Sequence, residues 1–298
     1  MKLGFVGLGK MGLPMSGRLA DHGHTVYGYD AVPAVAEKAA ERGVIFVKDF
    51  AAMAEALGEN AVVWVQTPPG KITNDVIAAL AEALPAGSLI VDGGNSDFRD
   101  SRKNGEMLAQ KGIHFVDCGV SGGVNGAKNG AGLLVGATQE DYEKLLPAFE
   151  ALAAPDGYRH VGGPGAGHFS KMVHNAVEYA IMEAYAEGYE LMKKSDIEVD
   201  ILSAMEAWQK CSIRSFLLDE MIEALRPDVD LDDVIGVVAD SGMGRWAQEE
   251  AIRLRVPTPV LSMSLQARFR SQEEESPAMK SLAALRGVIG GHPVKRKS

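Results

Sequence analysis

The run GFVGLGKMG at residues 4–12 sets Gly7, Gly9 and Gly12 in a G-x-G-x-x-G spacing, directly after an apolar strand pattern and at the opening of a helical one. Glycine is common, so the spacing carries weight only with its strand-to-helix context and a second signal beside it. In a strand–turn–helix unit the glycines permit a tight turn, close approach of the backbone to a pyrophosphate, and tight packing of helix on strand, with helix N–H groups facing the phosphates. Without a ligand the same glycines make a plain packing turn. Here the next strand pattern, TVYGYD, ends in Asp30, near the roughly 20-residue offset of an acidic group that binds ribose hydroxyls. The expected dinucleotide-binding set is Gly7, Leu8, Gly9, Lys10, Met11, Gly12 and Asp30. A carboxylate at Asp30 repels a ribose 2′-phosphate, and the following AVPAVAEK offers Lys38 but no arginine to receive one. NAD is therefore expected in preference to NADP.

Short β-rich runs alternate with helical patterns as far as about residue 160: KLGFVG, TVYGYD, VIFV, AVVWVQ, SLIVDGG, HFVDCG and GLLVGA. Each parallel crossover needs a helix, so the alternation predicts a parallel sheet covered on both faces. After GGPGAGH the strand patterns stop and amphipathic helical segments follow, the first a long spine from Ala166 to Lys194. The expected fold is a Rossmann-like, doubly wound α/β domain over 1–163, followed by an all-α domain over 164–298 for substrate binding and oligomerisation. That helical domain makes a thin core alone, which predicts burial against a second copy of the chain.

A chain of 298 residues with 46% apolar and 23% charged content suits two soluble cores. Its net charge of −10 argues against nucleic acid as a partner, and the basic run VKRKS is short. No apolar run reaches the ~18 residues of a membrane span, and the first residues lack a cleavage pattern, so a cytoplasmic protein without membrane contact is expected. Cys118 and Cys211 have neither metal-ligand spacing nor a CxxC pair, which predicts reduced thiols and no metal.

Three loops and one helix carry the candidate chemistry. QTPPGK, with Gln66 and Thr67, follows the fourth strand where a parallel sheet opens its ligand crevice; it either covers a nicotinamide or is a rigid connection. VDGGNSDFRD offers Asn95 for cofactor and substrate, and DCGVSGG offers Ser121, Gly122 and Gly123, whose backbone N–H groups suit a carboxylate; taken singly each is more often a plain loop, but the two stand beside a dinucleotide fold. In GAGHFSKMVHNAVEYA the helix turns about 100° per residue, so Lys171 and Glu178 lie about 20° apart around the axis and roughly 10 Å apart along it. Asn175 falls between them, His174 sits at the edge of the stripe, and Phe169, Met172, Val173 and Ile181 are expected to pack on other sides.

GLGKMG, DGGNSDFRD, GVSGGVNGA and GAGHFSKMVHNAVEYA together resemble the 6-phosphogluconate dehydrogenase family, the decarboxylating branch of the β-hydroxyacid dehydrogenases, in order and in spacing. The chain is similar to a short branch with one copy of the helical unit. The resemblance implies oxidative decarboxylation of 6-phosphogluconate to ribulose 5-phosphate and carbon dioxide. Lys171 would then be the general base, Glu178 the general acid and Asn175 a catalytic partner. It also implies that Asn95, Ser121, Gly122, Gly123, His174 and Asn175 hold the carboxylate and hydroxyls, and that Tyr179 and Arg214 meet the phosphate. Arg286 and His292, in ALRGVIGGH, would reach the site of a neighbouring subunit in a homodimer or homotetramer. QTPPGK is longer than the family's loop, and Arg245 of DSGMGRW stays outside the expected catalytic set. The nearest rival is a non-decarboxylating enzyme of the 3-hydroxyisobutyrate dehydrogenase type, which has no use for Glu178 or a phosphate set; the other is a cofactor-binding sensor without catalysis.

Overall fold

The computed structural model describes residues 1–290 and 293–296. The first unit, Met1–His174, is built on one eight-stranded sheet. Its elements run β1 (Lys2–Val6), α1 (Gly12–Asp21), β2 (Thr25–Tyr29), α2 (Ala36–Glu41), β3 (Ile45–Phe46), α3 (Phe50–Leu57), β4 (Val62–Val65), α4 (Lys71–Ala83) and β5 (Leu89–Asp92). Then come α5 (Phe98–Ala109), β6 (His114–Ser121), α6 (Gly123–Asn129), β7 (Ala131–Gly136), α7 (Gln139–Leu152), β8 (Ala153–Gly162) and the start of α8 (Ala166–Lys194).

Strand order is β3-β2-β1-β4-β5-β6-β7-β8, so the direction of progression reverses between β1 and β4. The crevice beyond the carboxyl ends at such a reversal is where doubly wound sheets bind ligands. Side chains alternate between the two covered faces, as a period of two dictates. Leu3, Phe5, Val62, Trp64, Leu89 and Val91 enter one core, while Val6, Val63, Val65 and Ile90 enter the other. Trp64 stacks on Phe5 with ring centroids 6.4 Å apart in the first of these cores.

Two features depart from the expected sheet. β7 runs antiparallel to β6, because only the short α6 separates them. β8 has no counterpart among the strand patterns: it pairs with β7 through a register shift after Ala131↔Ala153, where the chain passes Pro155, Asp156 at φ 57° and Gly157. Those turn residues mask an edge strand in the sequence, where proline and a bulge are tolerated.

The second unit, Asn175–Ser298, contains the rest of α8 with α9 (Ile201–Trp208), α10 (Phe216–Leu225), α11 (Met243–Leu254), α12 (Pro259–Ser271) and α13 (Pro277–Gly290). The compact units thus part inside α8 after His174, whereas the sequence reading divides the chain at 163/164. Ile201, Met205, Leu218, Ile222 and Leu225 form a small core with Tyr185, Tyr189 and Met192 of α8. Asp200 and Ser215 cap α9 and α10 by accepting N–H bonds from Ser203 and Leu218. Among the described residues no helix is long and apolar enough to cross a membrane.

Candidate active site

The glycine loop follows β1 without a break. Gly7 has φ 92° and donates its N–H to Tyr29 O at 2.9 Å, closing a turn that a side chain would strain. A Cβ on Gly12 would stand 1.8 Å from Gly7 O, so this glycine lets α1 lie on the strand. Gly9 and Lys10 are exposed, and a Cβ on Gly9 would meet nothing within 4 Å. Met11, half-buried, packs on the core. Helix α1 begins without a side-chain cap; its Leu13 N–H donates to Gly9 O at 3.0 Å and Pro14 carries no N–H, so the Gly12 end of the turn is the part that faces a ligand.

Asp30, at the end of β2, accepts the Leu8 N–H at 2.7 Å and the Val32 N–H at 2.8 Å. Leu8 itself turns into the core, so this residue secures the loop with its N–H and its side chain. An uncapped helix start behind a glycine turn, with a carboxylate at the tip of the next strand, fits a dinucleotide.

The loop after β4 adjoins the glycine turn, and the loop after β5 adjoins the loop after β4. A Cβ on Gly7 would come within 2.6 Å of Gln66 O, and one on Gly94 within 2.7 Å of Thr67 O. The Gln66 amide is fixed at both ends, accepting from Trp64 Nε1 at 3.0 Å and donating to Gly93 O at 2.8 Å. Thr67 Oγ1 and Thr73 Oγ1 are 2.8 Å apart, tying QTPPGK to α4. Asn95 donates to Val120 O at 3.1 Å and accepts the Val120 N–H at 2.9 Å, which fastens the loop after β5 to β6. Ser121 ends β6, and the exposed Gly122 and Gly123 open α6, whose N-terminus has no side-chain cap.

Lys171 is 4% exposed, and its stem lies on Gly119 of β6, where a Cβ would stand 2.5 Å from Lys171 Cβ. Its Nζ stands 3.3 Å from His174 Nδ1, and His174 Nε2 stands 3.5 Å from Ser121 Oγ, the outer limit of a hydrogen bond. Lysine, histidine and the serine loop are therefore brought together within the first unit. Beneath them the buried Asp117 carboxyl is pushed up by desolvation, with His168 pulling the other way. The neighbouring Cys118 thiol is pushed far up, first by burial and then by Asp117 and Asp92, which makes it inert.

In the second unit α8 carries Asn175, Glu178 and Tyr179, all half-buried. Tyr179 Oη and Ser241 Oγ are 2.8 Å apart, and the Arg268 guanidinium lies over the Tyr179 ring at 3.7 Å from its centroid. Arg268 is 9% exposed and also donates to Ala239 O at 3.1 Å. Neither Ser241 nor Arg268 stands out in the sequence: Arg268, in QARFRS, reads as one more solvated arginine on a helix. Arg245 is exposed and paired with Asp240 at 2.6 Å. Arg214 is exposed in a turn held by Tyr185, which donates to Ile213 O at 2.6 Å and lies 2.9 Å from Ser215 Oγ. Arg286 is exposed on α13, and His292 lies outside the described residues.

Residues 2–163 match the NAD binding domain of 6-phosphogluconate dehydrogenase, and residues 167–288 match the 6-phosphogluconate dehydrogenase C-terminal domain. A Haloferax volcanii protein named as an NAD(+)-dependent, decarboxylating 6-phosphogluconate dehydrogenase is 38% identical over 100% of this chain and 99% of its own length. A Bacillus subtilis protein of the same name is 31% identical over 94% of this chain, but over only 64% of its own length. The fold is also that of Plasmodium falciparum 6-phosphogluconate dehydrogenase, with a TM-score of 0.84 at 22% identity over 100% of this chain and 66% of that one. With both parts of the chain matched in order, it belongs to the 6-phosphogluconate dehydrogenase family.

Proposed function

We propose that the protein oxidises and decarboxylates 6-phosphogluconate to ribulose 5-phosphate and carbon dioxide, with NAD preferred over NADP. The observation that carries this reading is the continuous helix α8, which bears the buried Lys171 beside His174 and, about two turns further on, Glu178 and Tyr179. A non-decarboxylating oxidation would use Lys171 and Asn175 but has no need of Glu178. A carboxylic acid spaced two turns beyond the lysine, followed by a tyrosine backed by Arg268, suits a substrate that must also be protonated on carbon and held by a phosphate.

NAD would be held by the loop Gly7–Gly12, with Asp30 toward the ribose and Gln66, Thr67 and Asn95 lining the adjoining loops; when bound, it supplies the hydride acceptor. Lys171 takes the proton of the substrate hydroxyl as the carbon is oxidised. The resulting 3-keto acid has its carboxylate β to the carbonyl. Protonated Lys171 donates to that carbonyl oxygen while the bond to the carboxylate breaks and carbon dioxide departs. Glu178 then protonates carbon 1 of the enediol while Lys171, neutral again, takes the proton of the carbon-2 hydroxyl, which leaves the ketone of ribulose 5-phosphate. Ser121, Gly122, Gly123, His174 and Asn175 orient the carboxylate and hydroxyls, and Tyr179 meets the phosphate with Arg268 behind it.

Arg214 is assigned to the phosphate by resemblance, and Arg286 and His292 are assigned to a neighbouring subunit's site. The exposed apolar side chains of α13, among them Met279, Leu282 and Leu285, support assembly into a homodimer or homotetramer. Location in the cytoplasm suits an enzyme of soluble phosphate esters. The test is to supply 6-phosphogluconate with NAD or NADP and to follow reduced cofactor and carbon dioxide together. Equal molar release of both is expected with 6-phosphogluconate and neither with 3-hydroxyisobutyrate; reduced cofactor without carbon dioxide contradicts the reading.

A further inference from the structure

The first turn of α8 has an unusual anchor. A helix begins with N–H groups that lack intrahelical partners, ordinarily met by the side chain of the residue at the cap. Here the cap position is Gly165, at φ 95°, which has no side chain to offer. Its place is taken by Asp117 of β6, which accepts the Gly165 N–H on Oδ1 at 2.5 Å and the His168 N–H on Oδ2 at 2.7 Å. Asp117 is fully buried, a costly position for a carboxylate unless both oxygens are occupied, as they are.

The surroundings are shaped to this contact. A Cβ on Gly136 would stand 2.4 Å from Asp117 Oδ1, and one on Gly167 would stand 2.4 Å from Asp117 O, so helix and strand backbones touch. A second tie fixes the rotation of the same turn: the fully buried His168 places Nδ1 2.7 Å from Ser101 Oγ on α5. Asp117 and Gly119 point to one face of β6, and His168 and Lys171 lie on one face of α8. The clamp at Asp117 and the seat of the Lys171 stem on Gly119 are thus successive contacts along one seam.

We propose that Asp117, seconded by the Ser101–His168 bond, is a positioning residue that sets where Lys171 Nζ stands relative to the substrate hydroxyl. The inference rests on Lys171 being the base. Proton abstraction during hydride loss is sensitive to placement, and a displacement of about 1 Å costs up to about 100-fold in rate. In Asp117→Asn one acceptor oxygen becomes an amide donor facing a backbone N–H, so one arm of the clamp is lost while the volume stays.

The experiment uses the full-length enzyme and its Asp117→Asn, Ser101→Ala and Lys171→Met variants. Melting temperature, Kd for NAD, kcat and KM for 6-phosphogluconate are measured, with the primary isotope effect for substrate deuterated at the oxidised carbon. For folded Asp117→Asn we expect NAD affinity within about twofold of wild type, kcat lowered about 10- to 100-fold, and an enlarged isotope effect, because the oxidation step becomes more rate-limiting. Ser101→Ala should move kcat and isotope effect in the same direction by a smaller factor. A folded Asp117→Asn enzyme with wild-type kcat and isotope effect overturns the proposal, even if its melting temperature has dropped. If that variant does not fold, Ser101→Ala decides on the same two readouts. A Lys171→Met enzyme that keeps more than about a tenth of wild-type turnover instead sinks the assignment of the base on which the proposal stands.

Discussion

Asp30 is placed by the loop it serves, since its two oxygens accept the N–H groups of Leu8 and Val32. Replacing it by serine, with arginine at Ala31, should shift the NAD-to-NADP ratio of kcat/KM toward NADP by at least about tenfold, the scale of one charge-assisted hydrogen bond. Serine cannot accept both N–H bonds as the carboxylate does, so KM for both cofactors should rise as well. A wild-type enzyme that already favours NADP in the same kcat/KM comparison contradicts this account of Asp30. For Lys171→Met, the base in the proposed reaction, we expect at least a ~100-fold loss of kcat with NAD affinity retained, because the lysine lies on α8, outside the dinucleotide loop. Glu178→Gln should slow steady turnover more than the first release of carbon dioxide, which single-turnover measurement separates. These residues were legible because each sits in a short motif with its chemistry beside it. Arg268 was not: its pairing with Tyr179 arises only when α12 packs on α8, and nothing local in QARFRS distinguishes it from a solvated arginine.

At the scale of elements, short β-rich runs between helical patterns revealed β1 to β7, and the span Ala166–Lys194 of α8 was readable from its pattern. The direction of β7 and the existence of β8 were not readable, because both depend on pairing across a sheet edge. The packing face of α8 was only partly visible. Met172, Ala176 and Ala180 are buried, but Val173 and Ile181, expected to pack, are 41% and 39% exposed in the single chain, and Val177 joins them on the same stripe. Hydrophobic spacing shows that a face is apolar, not what covers it. The contact between α8 and β6 makes its own prediction. Gly119→Ala would put a methyl 2.5 Å from Lys171 Cβ, and a buried stem on a helix backbone yields poorly. Overpacking of this kind costs about 1–3 kcal/mol of stability, and it should lower kcat more than it raises either KM. Thermal melting and steady-state kinetics check both parts; a Gly119→Ala enzyme with wild-type kcat means that the close contact is relieved without moving Lys171.

For the molecule as a whole, the described chain leaves unusually large apolar side chains in contact with water along its last helices. Ile252, Val260, Met263, Val288 and Ile289 are each more than two-thirds exposed or close to it, at 77%, 67%, 67%, 86% and 77%. A soluble monomer rarely keeps so many, which is why a second copy of the chain is the expected cover. If Arg286 crosses to the partner's phosphate site, each active site needs two chains. Arg286→Ala should then chiefly raise KM for 6-phosphogluconate, by about tenfold or more for a lost charge-assisted hydrogen bond, while Lys171→Met chiefly lowers kcat. The two variants separate the alternatives when they are unfolded and refolded together. In a mixed dimer one site collects both defects, and the other combines an intact lysine from one chain with an intact arginine from its partner. Activity at low substrate should therefore rise above the mean of the two variants refolded alone. A mixture shown by mass spectrometry to contain mixed dimers, yet no more active than that mean, places Arg286 in the site of its own chain.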